Sequence, residues 1–537
     1  MSQDDQSTVP AAIRAWPKRF GEREAVLDRG RRTGYADLAD QVRQVAAALI
    51  ANGVRPGDRV GLWAPNRLEW MLTALGAQYL GAAVVPLNTR YRGPEAVDGL
   101  ARTRARLLVV DQAFLDTDYV GRLRTAAETR GPEDDEPPPD GPIPGLPDLR
   151  TIVDLSGGDA KTLSWTDFLS RAQPSHAEQA ETCADQVAPG DIADILFTSG
   201  TTGRSKGAMS SQRQLLGMAR GWADRARLNA DDRYLIVNPF FHSFGYKAGF
   251  VAGLLSGATI VPLSVFAAEP VLDLIERERV TVLPGPPAIY QALLADPTLP
   301  DRDLTSLRLA VTGAAMVPQT LIQRIGADLQ VDCVLTAYGL TEAPVVTMCT
   351  EDDDDHTVAT TCGRPLDWAE LRIAGNAETG SPGEVLIRGP YVMQGYLDDP
   401  AGTAAAVDAE GWLHTGDVGV LDDRGYLRIT DRITDMFTVG GFNVYPAELE
   451  QVISAHPAVQ DCAVIGVPDE RLGEVGRAYV CPRPNATVTA DEIIGYCRER
   501  LANFKVPRTV VVVTELPRNA GGKVVKPELR RRALSGR

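Results

Sequence analysis

The chain has 537 residues, more than one hydrophobic core can serve, so two or three domains are expected. Apolar residues make up 44% and charged residues 23%, an ordinary globular balance, and no run of about 18 apolar residues is present to span a membrane. The net charge of −16 argues against a nucleic-acid partner, because a phosphate backbone demands a basic face. The first residues, Met1-Ser-Gln-Asp-Asp5, carry neither the basic nor the apolar region of a signal peptide. The seven cysteines are scattered and form no CxxC pair, so a reducing cytoplasm is expected and a zinc site is not.

Leu38, Val42, Val45 and Leu49 recur at helical spacing, with Gly53 as a stop. Short apolar runs follow at 60–63, 83–87 and 107–110, then at 234–237, 258–263, 280–283 and 307–311. They alternate with helical stretches, the pattern of parallel strands with crossover helices. Between them, 131–147 is rich in Pro, Asp and Glu and reads as an exposed, mobile insertion. The acidic run 351–355 is read as a solvated loop in preference to a metal site. After about residue 431 the texture changes: a helix at 447–455, strands at 462–467 and 478–481, a capping box of Thr489 with Glu492, and a last strand at 510–513. The expected fold class is therefore α/β: a large N-terminal domain of parallel-sheet-rich layers (1–431) and a small, mobile α+β C-terminal domain (432–537).

Four stretches carry chemistry. An apolar run at 195–197 feeds straight into Thr198–Gly207, which holds three glycines, five hydroxyls and Lys206. Such a loop can turn backbone N–H groups around a polyphosphate, although a solvated turn is the alternative. Tyr338-Gly-Leu-Thr-Glu342 follows an apolar strand at 334–335 and offers a stacking ring, a close backbone turn, a hydroxyl and a Mg²⁺ ligand. His414-Thr-Gly-Asp417 places a carboxylate on a glycine turn, suited to two ribose hydroxyls or simply to the turn. Asn519-Ala-Gly-Gly-Lys523 sits near Arg530–Arg532, either a reaching lysine or part of a solvated basic tail. Only seven lysines stand against 48 arginines, and two of them, Lys206 and Lys523, fall in glycine-rich settings. A compact ammonium that reaches a phosphate accounts for that choice.

Taken in chain order, TSGTTGRSKG (198–207), FFHSFG (240–245), TGAA (312–315), YGLTE (338–342), HTGD (414–417), DRITDMFTVGGFNVYPAELE (431–450) and NAGGKVVK (519–526) resemble the adenylate-forming acyl-CoA synthetases. The resemblance runs from about residue 20 to residue 530. It implies a complete acid–thiol ligase using ATP, Mg²⁺ and CoA: a carboxylic acid and ATP give an acyl-adenylate, which CoA then attacks. It further implies roles for individual residues. Thr198, Ser199, Gly200, Thr201, Thr202, Gly203 and Lys206 would hold the β- and γ-phosphates. Gly313, Ala314, Ala315, Tyr338 and Gly339 would frame adenine. Thr341 and Glu342 would bind phosphate and metal, and Asp417 the ribose, with Arg432 nearby. Lys523 would bridge carboxylate and α-phosphate, and His242 would gate the acyl pocket. Gly440 and Gly441 would line the pantetheine tunnel, with Phe504 and Arg508 on the CoA nucleotide.

Four departures from the family pattern stand out: Ser205 for proline, Phe442 for glutamate, Val506 for a basic residue, and Thr434 for the Lys or Asp of the hinge. A threonine at the pivot leaves open that the two half-reactions run unequally, with a separate adenylating enzyme as partner. The segments 238–249, 360–365 and 501–505 resemble bacterial ligases acting on polycyclic acids, such as steroid ring-fragment propanoates or platensimycin- and platencin-type diterpenoid acids. The segments 284–290, 312–316 and 343–347 mix small and aliphatic residues and read as a wide apolar pocket, with Tyr246, Lys247, Pro287, Tyr290 and Ala343 lining it. Lys247 is either a surface ion pair or a donor to a ketone or hydroxyl of the acid. The expected partners are a small carboxylic acid, ATP and CoA, with a homodimer also open. Rival classes are a carrier-loading adenylation domain, a luciferase-like oxygenase and a non-catalytic binder. Against them stand the lack of a carrier segment after 530, the lack of an aspartate in 239–249 to pair an amine, the lack of a peroxisomal C-terminal signal, and the retention of Lys206, Glu342, Asp417 and Lys523.

Overall fold

The structure is a computed structural model that describes residues 7–129, 143, 145–159, 161–198, 205–313, 319–375, 380–432, 435–439, 442–469, 471–484, 486–501, 503–518 and 524–534. Most of the expected insertion, 131–142 and 144, lies outside these residues.

Short Val- and Leu-rich runs set the architecture. Strand Arg59–Trp63 pairs in parallel with Ala83–Pro86 on one side and Leu107–Val110 on the other, and Ile192–Thr198 continues beside Ala83–Pro86. Every residue of Ala83–Pro86 and of Leu107–Val110 is buried, as parallel strands covered on both faces require. These strands belong to an eight-stranded sheet. In a nine-stranded sheet, Thr259–Pro262, Arg233–Ile236, Val282–Pro284, Leu309–Gly313 and Cys333–Leu340 run parallel, and Ala343–Met348 then turns back antiparallel.

Helices Tyr35–Ala51, Leu68–Tyr79 and Gln212–Arg225 fill the space between the two sheets. Their Leu38, Val42, Leu72, Leu75, Leu215 and Met218 share one core with residues of both. Leu68–Tyr79 is buried at every position but Glu69, the pattern of a helix enclosed on all sides. The stop expected after Tyr35–Ala51 is present, with Gly53 at a φ of +88°.

A four-stranded antiparallel sheet of Glu370–Ile373, Gly383–Arg388, Leu413–Leu421 and Leu427–Arg432 is not legible as apolar runs, because its strands are half-exposed. Its Val385, Ile387, Leu413 and Leu427 pack with Ala208 of the eight-stranded sheet and with Ala343 and Val346 of the nine-stranded one. It therefore seals the place where two hairpins, one from each large sheet, meet.

The strands Phe437–Val439, Phe442–Val444, Val459–Asp469, Gly473–Pro482 and Thr509–Val512 form a five-stranded sheet of their own, with an apolar cluster on each face. Alternation along Val459–Asp469 sends Val464 to one cluster, with Leu449 and Ile493, and Ile465 to the other, with Tyr479 and Leu529. Among the described residues neither cluster draws on anything before Phe437. The capping box is formed: the Thr489 hydroxyl accepts from Glu492 N at 3.3 Å, and the Glu492 carboxylate accepts from Thr489 N at 2.7 Å. In the acidic run, Asp353 and Asp354 accept backbone N–H bonds from Thr350 and Thr357, so both carboxylates cap local structure.

Apolar clusters that draw, among the described residues, only on Phe437 and beyond predict a separate C-terminal unfolding transition. Leu449 is fully buried, and Leu449→Ala should cost about 2–5 kcal/mol in the C-terminal transition alone. Denaturant unfolding followed by tryptophan fluorescence and by hydrogen exchange of 459–482 checks this. A single transition that moves as a whole would contradict separate cores.

Candidate active site

The phosphate-loop candidate is the tip of a β-hairpin. Ile192–Thr198 and Lys206–Ser211 pair antiparallel, and Thr198 lies opposite Lys206 as the last pair before the tip. Ser199, Gly200, Thr201, Thr202 and Gly203 lie outside the described residues. The Arg102 guanidinium donates to the Ser205 carbonyl at 2.6 Å and lies 5.2 Å from the Phe197 ring, bracing both arms of the hairpin. The short strand Gly395–Tyr396 pairs with Met209 and Ala208. That register brings the Tyr396 ring under the Lys206 ammonium, 4.7 Å from Nζ to centroid.

The second hairpin joins Cys333–Leu340 to Ala343–Met348. Leu340 faces Ala343, which leaves Thr341 and Glu342 as a two-residue turn. The strand runs further than the apolar run suggested and takes in Tyr338 and Gly339. Gly339 is needed by the hairpin itself, since a Cβ there would lie 2.0 Å from the Pro344 carbonyl oxygen. Likewise a Cβ on Gly313 would lie 2.4 Å from the Ala337 carbonyl oxygen. Ala314 and Ala315 lie outside the described residues.

Tyr396 joins the two hairpins. Its hydroxyl donates to Glu342 Oε1 at 2.7 Å while its face carries Lys206. Burial, and then the Glu342 charge, push the phenol far above its ordinary range, so it stays a donor at neutral pH. A phosphate-seeking cation and a lone carboxylate are thus held on one ring. A single carboxylate beside a polyphosphate site fits Mg²⁺, which keeps several waters and takes few protein ligands. Among the described residues no cluster of three or more His, Cys, Asp or Glu offers a protein-only metal cage.

Asp417 is held in the four-stranded sheet, not on a free turn. It lies within Leu413–Leu421, opposite Arg432, and is 4% exposed. The glycine before it, Gly416, takes a φ of +68°, the left-handed conformation that suits glycine. Glu384 clamps this kink. One of its oxygens accepts from Gly416 N at 3.0 Å and the other meets His414 Nδ1 at 2.9 Å. Thr415 Oγ1 accepts from Asp417 N at 3.1 Å and donates to the Val385 carbonyl at 2.8 Å. The Tyr338 hydroxyl donates to Asp417 Oδ2 at 2.7 Å, which links the adenine and ribose candidates. Nearby, burial pushes the Cys362 thiol up to about 12, with the Asp417 charge adding to it, so that thiol is no nucleophile at neutral pH. Arg432 is described by its backbone alone.

The acyl-pocket candidates divide. His242 is exposed and caps a short turn, its Nδ1 accepting from Phe244 N at 3.3 Å. Ala343 and Pro287 are buried, and the Tyr290 hydroxyl donates to the Leu283 and Val311 carbonyls at 2.5 and 3.2 Å. The Tyr246 hydroxyl accepts from Gln78, and its ring packs on Trp70 and Phe250. The surface reading of Lys247 is corrected: the residue is 1% exposed, pairs with Asp194 Oδ1 at 2.9 Å and donates to Ser210 Oγ at 2.7 Å. An ammonium taken out of water needs such partners, and here protein groups supply them.

In the C-terminal sheet unit, Phe504 is half-buried and Arg508 exposed, while Val506 fills the core. Lys505, between them, pairs with Glu448 at 2.6 Å. The last helix is tied down by Lys526–Glu450 at 2.8 Å and by Arg530–Asp435 at 2.9 Å. Thr434, Gly440, Gly441 and Lys523 lie outside the described residues. Tyr396, Glu384, Arg102 and Asp194 were not singled out from sequence. Tyr396 sits in a two-residue strand 190 positions after Lys206, with no spacing signal between them. Asp194 and Lys247 did carry one: each is a lone charge inside an apolar run.

Loss of the Tyr396 hydroxyl should separate its two tasks. Tyr396→Phe is expected to raise the Mg²⁺ concentration needed for half-maximal ATP–pyrophosphate exchange. Tyr396→Leu should also raise the KM for ATP about 2- to 30-fold, since a cation–π contact is worth about 0.5–2 kcal/mol. Equal effects of the two variants would contradict the double role.

Comparison with known proteins places this geometry. The family model for AMP-binding enzymes matches residues 13–397, and that for the AMP-binding enzyme C-terminal domain matches 448–523. A 3-[(3aS,4S,7aS)-7a-methyl-1,5-dioxo-octahydro-1H-inden-4-yl]propanoyl:CoA ligase of Rhodococcus jostii is 50% identical over 98% of this chain and 99% of its own length. The Mycobacterium tuberculosis ligase of the same name is 51% identical over 98% and 99%. Among solved structures, ATP-bound MatB from Rhodopseudomonas palustris superposes with a TM-score of 0.85 at 29% identity, covering 98% of each chain. The anthranilate CoA ligase AuaEII in complex with anthranoyl-AMP does so with a TM-score of 0.85 at 28% identity, again over 98% of each.

Proposed function

Because the chain belongs to the family of AMP-binding enzymes, we propose that it joins a bulky polycyclic carboxylic acid, of the dioxo-hydrindane propanoate kind, to CoA through an acyl-adenylate. The observation that carries this reading is the 50% identity, over nearly the whole chain, to a ligase named for that acid. The site chemistry agrees with it. A carboxylate is a poor electrophile until it is joined to a good leaving group. Its oxygen attacks the α-phosphorus of ATP, the bond to the bridging oxygen breaks, and pyrophosphate departs. This displacement calls for charge neutralisation and alignment more than for a protein nucleophile.

Each residue then has a task. Lys206, steadied on Tyr396, neutralises the departing phosphates. Glu342 would hold Mg²⁺, which would supply charge screening for those phosphates. Asp417 takes the ribose hydroxyls and is kept in place by Tyr338 and the Glu384 clamp. Lys523 neutralises the carboxylate and α-phosphate. The C-terminal unit, hinged near Thr434, brings Phe504 and Arg508 to CoA, whose sulfur attacks the acyl carbonyl and displaces AMP. A cytoplasmic setting agrees with seven free thiols.

The test uses purified protein with fatty, aryl and polycyclic acids, ATP, Mg²⁺ and CoA, and reads acyl-CoA by mass spectrometry. Each acid runs beside its pre-made acyl-adenylate. Acyl-CoA from free polycyclic acid, at a kcat/KM at least tenfold above that of fatty and aryl acids, is expected. Preference for a fatty or aryl acid would overturn the substrate class. Product from the adenylate alone would overturn the complete ligase and leave a thioesterification enzyme served by a separate adenylating partner.

A further inference from the structure

The Lys247–Asp194 pair is a fully buried use of charge that the proposed reaction leaves unexplained. Asp194 is fully buried in the middle of Ile192–Thr198, four residues before Thr198. Its cross-strand partner in the hairpin is Ser210, 5% exposed, four residues after Lys206. Lys247 comes from a third element, the turn that begins at His242. There Tyr246–Val251 winds as a wide π-turn, broken at Gly249 with ψ near −110°. Its ammonium meets Asp194 Oδ1 at 2.9 Å on one strand and Ser210 Oγ at 2.7 Å on the other. Inserted single-turn π-helices of this kind are frequent at functional sites.

A buried ion pair is a poor source of stability, because desolvation offsets most of the Coulomb attraction. Here burial works against the Asp194 charge even with Lys247 beside it. What directional bonds do supply is register. The neighbouring buried groups are arranged the same way. Gln78 Nε2 donates to the Ala193 carbonyl at 3.1 Å and to the Tyr246 hydroxyl. Gln212 Nε2 donates to the Gln78 carbonyl at 3.1 Å and Gln212 Oε1 accepts from Val9 N at 2.9 Å. All but the Gln78–Tyr246 bond run between an arm of the hairpin, or the helix that follows it, and another element; that one joins helix Leu68–Tyr79 to the π-turn.

We propose that Lys247, paired with Asp194 and hydrogen-bonded to Ser210 on the two hairpin arms, is a positioning residue: it sets the angle of the hairpin that carries Thr198 and Lys206 relative to the turn that begins at His242. The inference rests on the reading of that hairpin as part of the ATP site. Apolar packing could fill the same volume but would not fix the angle between the hairpin and the turn.

Two variants test it. Ser210→Ala removes one hydroxyl, and Asp194→Leu with Lys247→Met replaces the pair by apolar groups of similar shape. Melting temperature, ATP·Mg²⁺ affinity by calorimetry and the KM for CoA are read for each. Melting within a few degrees of the parent, ATP affinity at least fivefold weaker and an unchanged KM for CoA are expected. If Ser210→Ala and the double variant bind ATP as the parent does, the strut is overturned. Should ATP and CoA parameters weaken together, the pair is merely structural and the proposal again fails. Should the double variant not fold, Ser210→Ala decides alone. A parent protein that binds no ATP would instead sink the reading of the hairpin, a separate result.

Discussion

A lysine and a glutamate that are to serve the same polyphosphate must be kept close without spending their charges on each other. Tyr396 meets that constraint. Its face carries the Lys206 ammonium and its hydroxyl donates to Glu342, so both charges are oriented while neither is cancelled by a direct ion pair through that ring. The surrounding architecture brings these groups together. Lys206 ends one hairpin of the eight-stranded sheet, and Glu342 lies in the turn of another, at the edge of the parallel run of the nine-stranded sheet. The four-stranded sheet packs against both and supplies Asp417. A site assembled at the ends of parallel strands from several layers is where open α/β folds commonly place their ligands.

Around that centre the protein uses clamps between its own groups. Glu384 holds the Gly416 kink, Tyr338 holds Asp417, Arg102 holds Ser205, and the Met393 N–H donates to the Glu342 carbonyl at 2.8 Å. Ser205 stands where relatives in the resembled family carry proline, whose ring would restrict the backbone. The Arg102 bond to its carbonyl constrains the same point from outside.

Much of this was legible in the sequence, and the physical reasons are specific. Parallel strands buried on both faces read as apolar runs, so those at 60–63 and 107–110 stand out. Thr489 with Glu492 announces a helix start through local bonds alone. Glycine and hydroxyl density singles out the stretch from Thr198 to Gly207 as a candidate loop, and its two flanks are the arms of one hairpin. Half-exposed strands such as Glu370–Ile373 give no comparable signal, and that is the sheet the sequence left unread. Contacts across long separations, such as Lys206 with Tyr396 or Gly416 with Glu384, depend on register, which the fold alone decides. Lys247 shows the intermediate case: its apolar setting hinted at burial, while its partner Asp194 emerged only when two runs 53 residues apart were brought side by side.

The central claim is that Lys206 and Glu342 act on one ATP·Mg²⁺ through the hairpins joined at Tyr396. Calorimetric titration of ATP into Glu342→Gln, with and without Mg²⁺, tests it most directly. The account predicts that Mg²⁺ strengthens ATP binding to the parent protein at least tenfold and that the variant loses this enhancement while still binding metal-free ATP. An undiminished Mg²⁺ enhancement in Glu342→Gln would contradict it.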